Sequence, residues 1–174
     1  MKSSVVTAMI WMAASTALVS ANEPRPMTAE DLWKVKRVGP PSVSPDGEWC
    51  VLDVTIWDLE KDESSSNLWL LSTDGKTQRQ LTYTTGKNIG PRWSPDGNSI
   101  AFTSQRAGDD WLQIYVISPT GGEARRVGDM PMAQSGLKWA ADSRTIYSIG
   151  WSWPGVDDDA AHNAKEKALK DAKT

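Results

Sequence analysis

Trp93-Ser94-Pro95-Asp96-Gly97-Asn98-Ser99-Ile100-Ala101-Phe102 is the stretch that decides how this chain folds. Proline presets φ for the first central position of a tight turn, aspartate suits the second and bonds backbone N–H groups, and glycine accepts a positive φ. The apolar residues beyond the turn read as a strand. The phrase recurs as Val43-Ser44-Pro45-Asp46-Gly47-Glu48-Trp49-Cys50-Val51. A weaker copy is Trp139-Ala140-Ala141-Asp142-Ser143-Arg144-Thr145-Ile146-Tyr147. The aspartates fall at 46, 96 and 142, so the periods are 50 and 46 residues.

A second block keeps step. Asn67-Leu68-Trp69-Leu70-Leu71-Ser72-Thr73-Asp74-Gly75, running on to Arg79-Gln80-Leu81, aligns without gaps on Gln113-Ile114-Tyr115-Val116-Ile117-Ser118-Pro119-Thr120-Gly121 and Arg125-Arg126-Val127 at an offset of 46. The four extra residues of the first period fall between Asp46 and Trp69, and the acidic, serine-rich stretch 58–66 reads as a solvated loop insertion. In the second unit strands are expected up to Trp93, over 99–104, over 113–117 and over 124–127, with hairpin turns at Asp74-Gly75 and Thr120-Gly121-Gly122. Four short strands per unit with no helix between them is the pattern of a β-propeller blade. The expected fold is all-β: a partial propeller of about three four-stranded blades, with a short N-terminal helix and a C-terminal helical tail.

Outward from the repeats, Thr28 is an N-cap with Asp31 three residues on, and Leu32, Trp33 and Val35 give the short helix an apolar face before Gly39-Pro40-Pro41 stops it. Residues 1–21 have a basic start, an apolar run and small residues before Asn22, the pattern of a signal peptide cleaved after Ala21. That makes the expected location periplasmic or secreted. The resulting division is 1–21 signal peptide, 22–38 linker and short helix, 39–156 blades (repeats near 43–86, 90–128 and 136–153) and 157–174 helical tail. The chain reads as truncated.

Composition narrows function. Twenty-two acidic residues against 19 basic ones give a net charge of −3, which argues against a nucleic-acid partner. One cysteine, Cys50, forms no internal bridge and reads as a small strand hydrophobe. One histidine, His162, supports no His-rich metal cluster and reads as an idle residue in an exposed stretch. Asp46, Asp96 and Asp142 each stand alone in a turn, whereas calcium needs 6–8 oxygens, so they read as turn residues. Trp49, Trp57, Trp69, Trp93, Trp111 and Trp139 read as packing between blades rather than stacking platforms. No catalytic, cofactor-binding or metal-binding residue is assigned, and no cofactor is expected.

The blade phrase at 93–102 resembles the WD-like propeller repeat of the TolB and prolyl oligopeptidase families. Met27-Thr28-Ala29-Glu30-Asp31-Leu32-Trp33-Lys34 and Trp151-Ser152-Trp153-Pro154-Gly155-Val156-Asp157-Asp158-Asp159-Ala160-Ala161 are similar to the flanks of secreted acylaminoacyl-peptidase or dipeptidyl-peptidase-like members of the latter. That resemblance implies a propeller gating an α/β-hydrolase domain that cleaves short peptides with a serine nucleophile. This chain has no Gly-x-Ser-x-Gly elbow, so only the propeller portion is matched. The expected function is substrate sieving within a serine peptidase, with short peptides as partners through the parent enzyme, no nucleic acid, and no membrane after signal removal. Oligomeric state stays open. The alternative is a TolB-like periplasmic protein-binding propeller without catalysis.

Overall fold

The computed structural model describes residues 25–156 and 159–172. The signal-peptide reading of residues 1–21 and the helix-capping reading of Asp157 and Asp158 lie outside the described residues.

The repeat arithmetic becomes geometry directly. The first blade pairs β1 (Arg37–Val38) and β2 (Ser42–Val43), end to end, along one edge of β3 (Trp49–Asp58), followed by β4 (Glu63–Ser72) and β5 (Gln78–Gln80). The second is β6 (Lys87–Trp93), β7 (Ile100–Gln105), β8 (Gln113–Ile117) and β9 (Arg125–Arg126); β10 (Gln134–Trp139) and β11 (Ile146–Gly150) form the inner pair of a third. Pairing inside each blade is antiparallel. Between blades, a parallel bridge, Ser66 to Lys87, joins β4 to β6, and Gln134 N donates to the Leu112 carbonyl (2.9 Å) between the second and third. The protein is a partial propeller flanked by α1 (Ala29–Lys34) and α2 (Asp159–Asp171).

Each inner strand carries the same irregularity. In β6 the register slips by one residue between Ile89 and Arg92, and in β10 between Ser135 and Lys138. Gly90 (φ 64°) and Gly136 (φ 59°) sit at the slip, where an extra residue demands the left-handed region. The first blade has Pro40 at that place in the repeat, a residue barred from positive φ. It interrupts pairing between β1 and β2 instead.

The Ser-Pro-Asp-Gly turns form as the residue types require. Asp46 Oδ1 accepts from Ser44 Oγ (2.5 Å) and Glu48 N (3.0 Å), while Ser44 Oγ accepts from Trp49 N. Ser94, Asp96, Asn98 and Ser99 repeat that set. So do Ser72, Asp74, Lys76 and Thr77 in the hairpin between β4 and β5. In the third blade Ser143 replaces glycine at φ 55°, and its Oγ accepts from Asp96 N (3.0 Å) across the blade boundary.

The core lies between blades. Val51, Leu68 and Leu70 of the first blade pack with Ile100, Phe102, Tyr115 and Ile117 of the second; Ala101, Ile114 and Val116, on the opposite face, pack with Leu137 of the third. Phe102 is fully buried, which is worth about 2–3 kcal/mol relative to exposure. Two tryptophans also latch neighbouring blades. Trp93 Nε1 donates to the Ser42 carbonyl (3.1 Å), and Trp139 Nε1 donates to the Arg92 carbonyl (3.0 Å).

Two expectations are corrected. The stretch 58–66 is not a loop insertion: β3 and β4 pair continuously to Asp58 and Glu63, Ser66 is buried, and the turn is left to residues 59–62. The extra residues lengthen a hairpin because serine and threonine pair across it, as Thr55 and Ser66 do at 2.8 Å. His162 is not exposed; it is 3% accessible on the inner side of α2.

Candidate functional site

The second blade's β7–β8 loop (106–112), the β9–β10 connector (128–133) and α2 meet at one end of that blade. Local chemistry fixes each piece. Gln113 ties down the connector with its side-chain amide, donating to the Met130 carbonyl (2.8 Å) and accepting from Met130 N (2.9 Å). Asp109 closes the loop by accepting from Arg106 N at 3.0 Å.

Asp109 is the centre of this arrangement. Its side chain is 4% exposed and takes two further bonds, from Tyr115 Oη (2.8 Å) and from Arg126 (2.8 Å). Arg126 also pairs with Asp129, which lies almost wholly in solvent. The Arg106 guanidinium lies 4.3 Å from the centroid of the Tyr115 ring. Burial first, then the Asp109 carboxylate it donates to, pushes the Tyr115 hydroxyl above its usual range. A buried carboxylate with three donors is a satisfied one, so Asp109 is a fixed counter-charge that orients Arg126. Among the described residues Arg126 Nε is buried with no hydrogen-bond partner. It borders a cavity of about 260 Å³ that also has Asp110, Trp111, Asp129 and Asn163 in its wall. Such a site presents a guanidinium and carboxylates beside an indole, which is recognition chemistry; among the described residues that line it no nucleophile and base are placed together.

The residues weighed from sequence end up elsewhere. Asp46, Asp96 and Asp142 stay in separate turns. The Ser44 and Ser94 hydroxyls, ahead of backbone N–H groups, hold the first two below the usual carboxylate range, and the backbone N–H groups of Arg144 and Thr145 do so for Asp142. Among the described residues no group of three or more His, Cys, Asp or Glu side chains is placed to hold a metal. Trp49, Trp93 and Trp139 pack on the inter-blade clusters, and Trp57 meets Trp33 edge-on at 5.4 Å with Arg37 over both rings. Asp109 and Arg126 went unnoticed because Gly108-Asp109-Asp110 reads as a turn. One signal was available: Arg126 stands where the first unit has Gln80, a departure from the repeat at a position whose neighbours obey it.

With three successive blades and their common turn described, comparison with known proteins is decisive on the family. The profile of the TolB beta propeller domain matches residues 33–153. This chain belongs to the TolB β-propeller domain family. Its propeller is 38% identical over 122 residues to the uncharacterized peptidase YuxL of Bacillus subtilis (strain 168), covering 69% of this chain and 18% of that protein. It is 29% identical over 120 residues to dipeptidyl-peptidase 5 of Porphyromonas endodontalis, covering 69% and 17%. Among solved structures, acylaminoacyl peptidase of Pyrococcus horikoshii superposes with a TM-score of 0.59 at 20% identity, over 73% of this chain and 19% of that one. The chain therefore spans under a fifth of the length of these two peptidase-named relatives. It is a TolB-type propeller homologous to the propeller portions of proteins named as peptidases.

Proposed function

We propose that this propeller is the N-terminal, access-limiting part of a secreted serine peptidase whose chemistry is carried by another domain of the same polypeptide. Export through a signal peptide cleaved after Ala21 belongs to the same proposal, which gives a periplasmic or extracellular location. One observation carries the reading: the relatives matched across the blades are named peptidases of more than five times the matched length. The composition of the described site agrees with a sieve. Its side chains bind and orient, and Asp109 and Arg126 neutralise one another instead of activating a nucleophile. Propeller and catalytic domain together would admit short, flexible peptides and turn away folded proteins.

The alternative, a protein-binding propeller without catalysis, rests on the family profile itself. An antibody raised to residues 25–156 distinguishes the two when applied to exported fractions treated with a fluorophosphonate probe, which labels active serines. The expected result is one labelled band far above 19.1 kDa. An immunoreactive band that takes no label, from cells whose other serine hydrolases do, refutes the peptidase reading.

A further inference from the structure

Four residues ahead of the turn aspartates Asp46, Asp96 and Asp142 stand Ser42, Arg92 and Lys138. Each lies on the inner strand of its blade: β2, β6 and β10. One position of the repeat thus carries a hydroxyl, a guanidinium and an ammonium in three successive blades. These positions adjoin. Trp93 N, one residue beyond Arg92, donates to Ser42 Oγ (3.4 Å), and Trp139 Nε1, one residue beyond Lys138, donates to the Arg92 carbonyl (3.0 Å). All three residues line one open cavity of about 500 Å³ that spans the three blades.

Charge there is unbalanced. No aspartate or glutamate lines the cavity, and the nearby Asp46 and Asp96 carboxylates are engaged inside their own turns. Lys61, Lys76 and Arg126 are paired with carboxylates, but among the described residues Arg92 and Lys138 form no ion pair. Lys138 is exposed, and of the Arg92 nitrogens Nη1 alone has an acceptor among the described residues, the Pro91 carbonyl (2.8 Å). The Ser42 hydroxyl accepts from Trp93 N and keeps its own proton to donate. A cleft with charges of one sign and low-dielectric walls concentrates ions of the other sign. Its walls also favour a particular carrier. Trp93, Trp139, Pro45, Pro95 and the exposed Val43 surround the donors with apolar surface, which suits a carboxylate borne on a peptide better than a bare hydrated anion.

We propose that this inner-strand cavity binds a carboxylate of an acidic peptide, with Arg92, Lys138 and the Ser42 hydroxyl as its donors. The proposal does not rest on the peptidase reading, because it is tested by binding without hydrolysis. The 174-residue chain is titrated by calorimetry with the acetylated, amidated tripeptide Ala-Glu-Ala and with its Ala-Gln-Ala counterpart, which matches it in shape and lacks the charge. The expected result is binding about 3–10-fold tighter for the glutamyl peptide. That ratio should fall toward one as salt rises from about 20 to about 500 mM, because the screening length shrinks. Arg92→Gln and Lys138→Gln should each lower it and together remove it, while Arg92→Lys and Lys138→Arg keep it. Lys87→Gln removes the same charge at the far end of β6 and should leave the ratio intact. Thermal melts matching the wild type establish that each variant folds; if R92Q does not, K138Q at its exposed position carries the test. Equal affinities in the wild type, a ratio that K87Q lowers as far as K138Q does, or one that survives the double variant each overturn the proposal. Propionate or inorganic phosphate displacing the glutamyl peptide at or below its own concentration overturns the peptide as carrier.

Discussion

Asp109→Asn is the most informative single change, because it keeps shape and removes charge. In the native site one carboxylate oxygen takes Arg126 and the other takes both the Tyr115 hydroxyl and Arg106 N. With an amide, the carbonyl still accepts from Arg126 and the Tyr115 hydroxyl can turn to accept from the new NH2. Arg106 N then faces a donor and is stranded. Stranding a backbone N–H costs about 1–3 kcal/mol, and weakening a charge-assisted bond costs about 1 more. Breaking a fully buried pair costs about 3–5 kcal/mol. Arg126 is 32% exposed, so water recovers part of that, and a loss of about 3 kcal/mol is expected. For a domain of this size it lowers Tm by about 6–12 °C. Urea and thermal unfolding followed by circular dichroism measure it. Asp129→Asn is the control: that carboxylate is 89% exposed and its loss should be within about 0.5 kcal/mol of zero. If D109N melts with the wild type, or falls no further than D129N, Asp109 is not the organiser of this end of the blade.

Gly136→Ala and Gly90→Ala test the shared bulge. Both force a side chain into positive φ, at about 1 kcal/mol. A Cβ at 136 also comes within 2.9 Å of Ile149 Cδ1, while nothing lies within 4 Å of one at 90. G136A should therefore melt lower than G90A. Ser143→Ala should cost more than Ser143→Gly in the same assay, since glycine relieves the left-handed backbone while both remove the acceptor for Asp96 N. Acid titration reports the turns. Asp46, Asp74, Asp96 and Asp142 have carboxyls held below their unfolded range, so their contribution is present above about pH 4 and lost as pH falls further. Asp96→Asn should flatten that acid slope. At the other end, the raised Tyr115 hydroxyl contributes stability that is lost as pH rises past about 10, a loss that Tyr115→Phe should remove.

Much of this fold could be read from residue types because its rules are local. Proline, aspartate and glycine fix the Ser-Pro-Asp-Gly turn within a few residues. The capping box of α1, with Thr28 N donating to Asp31 at 2.9 Å, is equally short-range. What escaped the sequence depends on partners far along the chain. The serines at 64–66 look like loop residues until β3 supplies an antiparallel partner for each. His162 looks solvated among lysines and alanines because nothing near it announces Trp111, some fifty positions earlier, or Met132 on the connector. Arg126 becomes a site residue only when the β7–β8 loop carries Asp109 to it. Periodicity located the blades; the clefts at their ends are made where the repeat is broken.

The sparse backbone bonding between blades, the Ser66–Lys87 bridge and one bond from Gln134 N to the Leu112 carbonyl, has a mechanical consequence. Backbone hydrogen bonding runs almost wholly within blades, so adjacent blades are held by interdigitated side chains and by the Trp93 and Trp139 latches. Under tension applied between the chain ends, side-chain interfaces would part before the ladders inside a blade unzip. Extension should then come in steps rather than as a glide. With 46 residues between equivalent positions of the second and third units, each released blade would add about 150–165 Å of contour length.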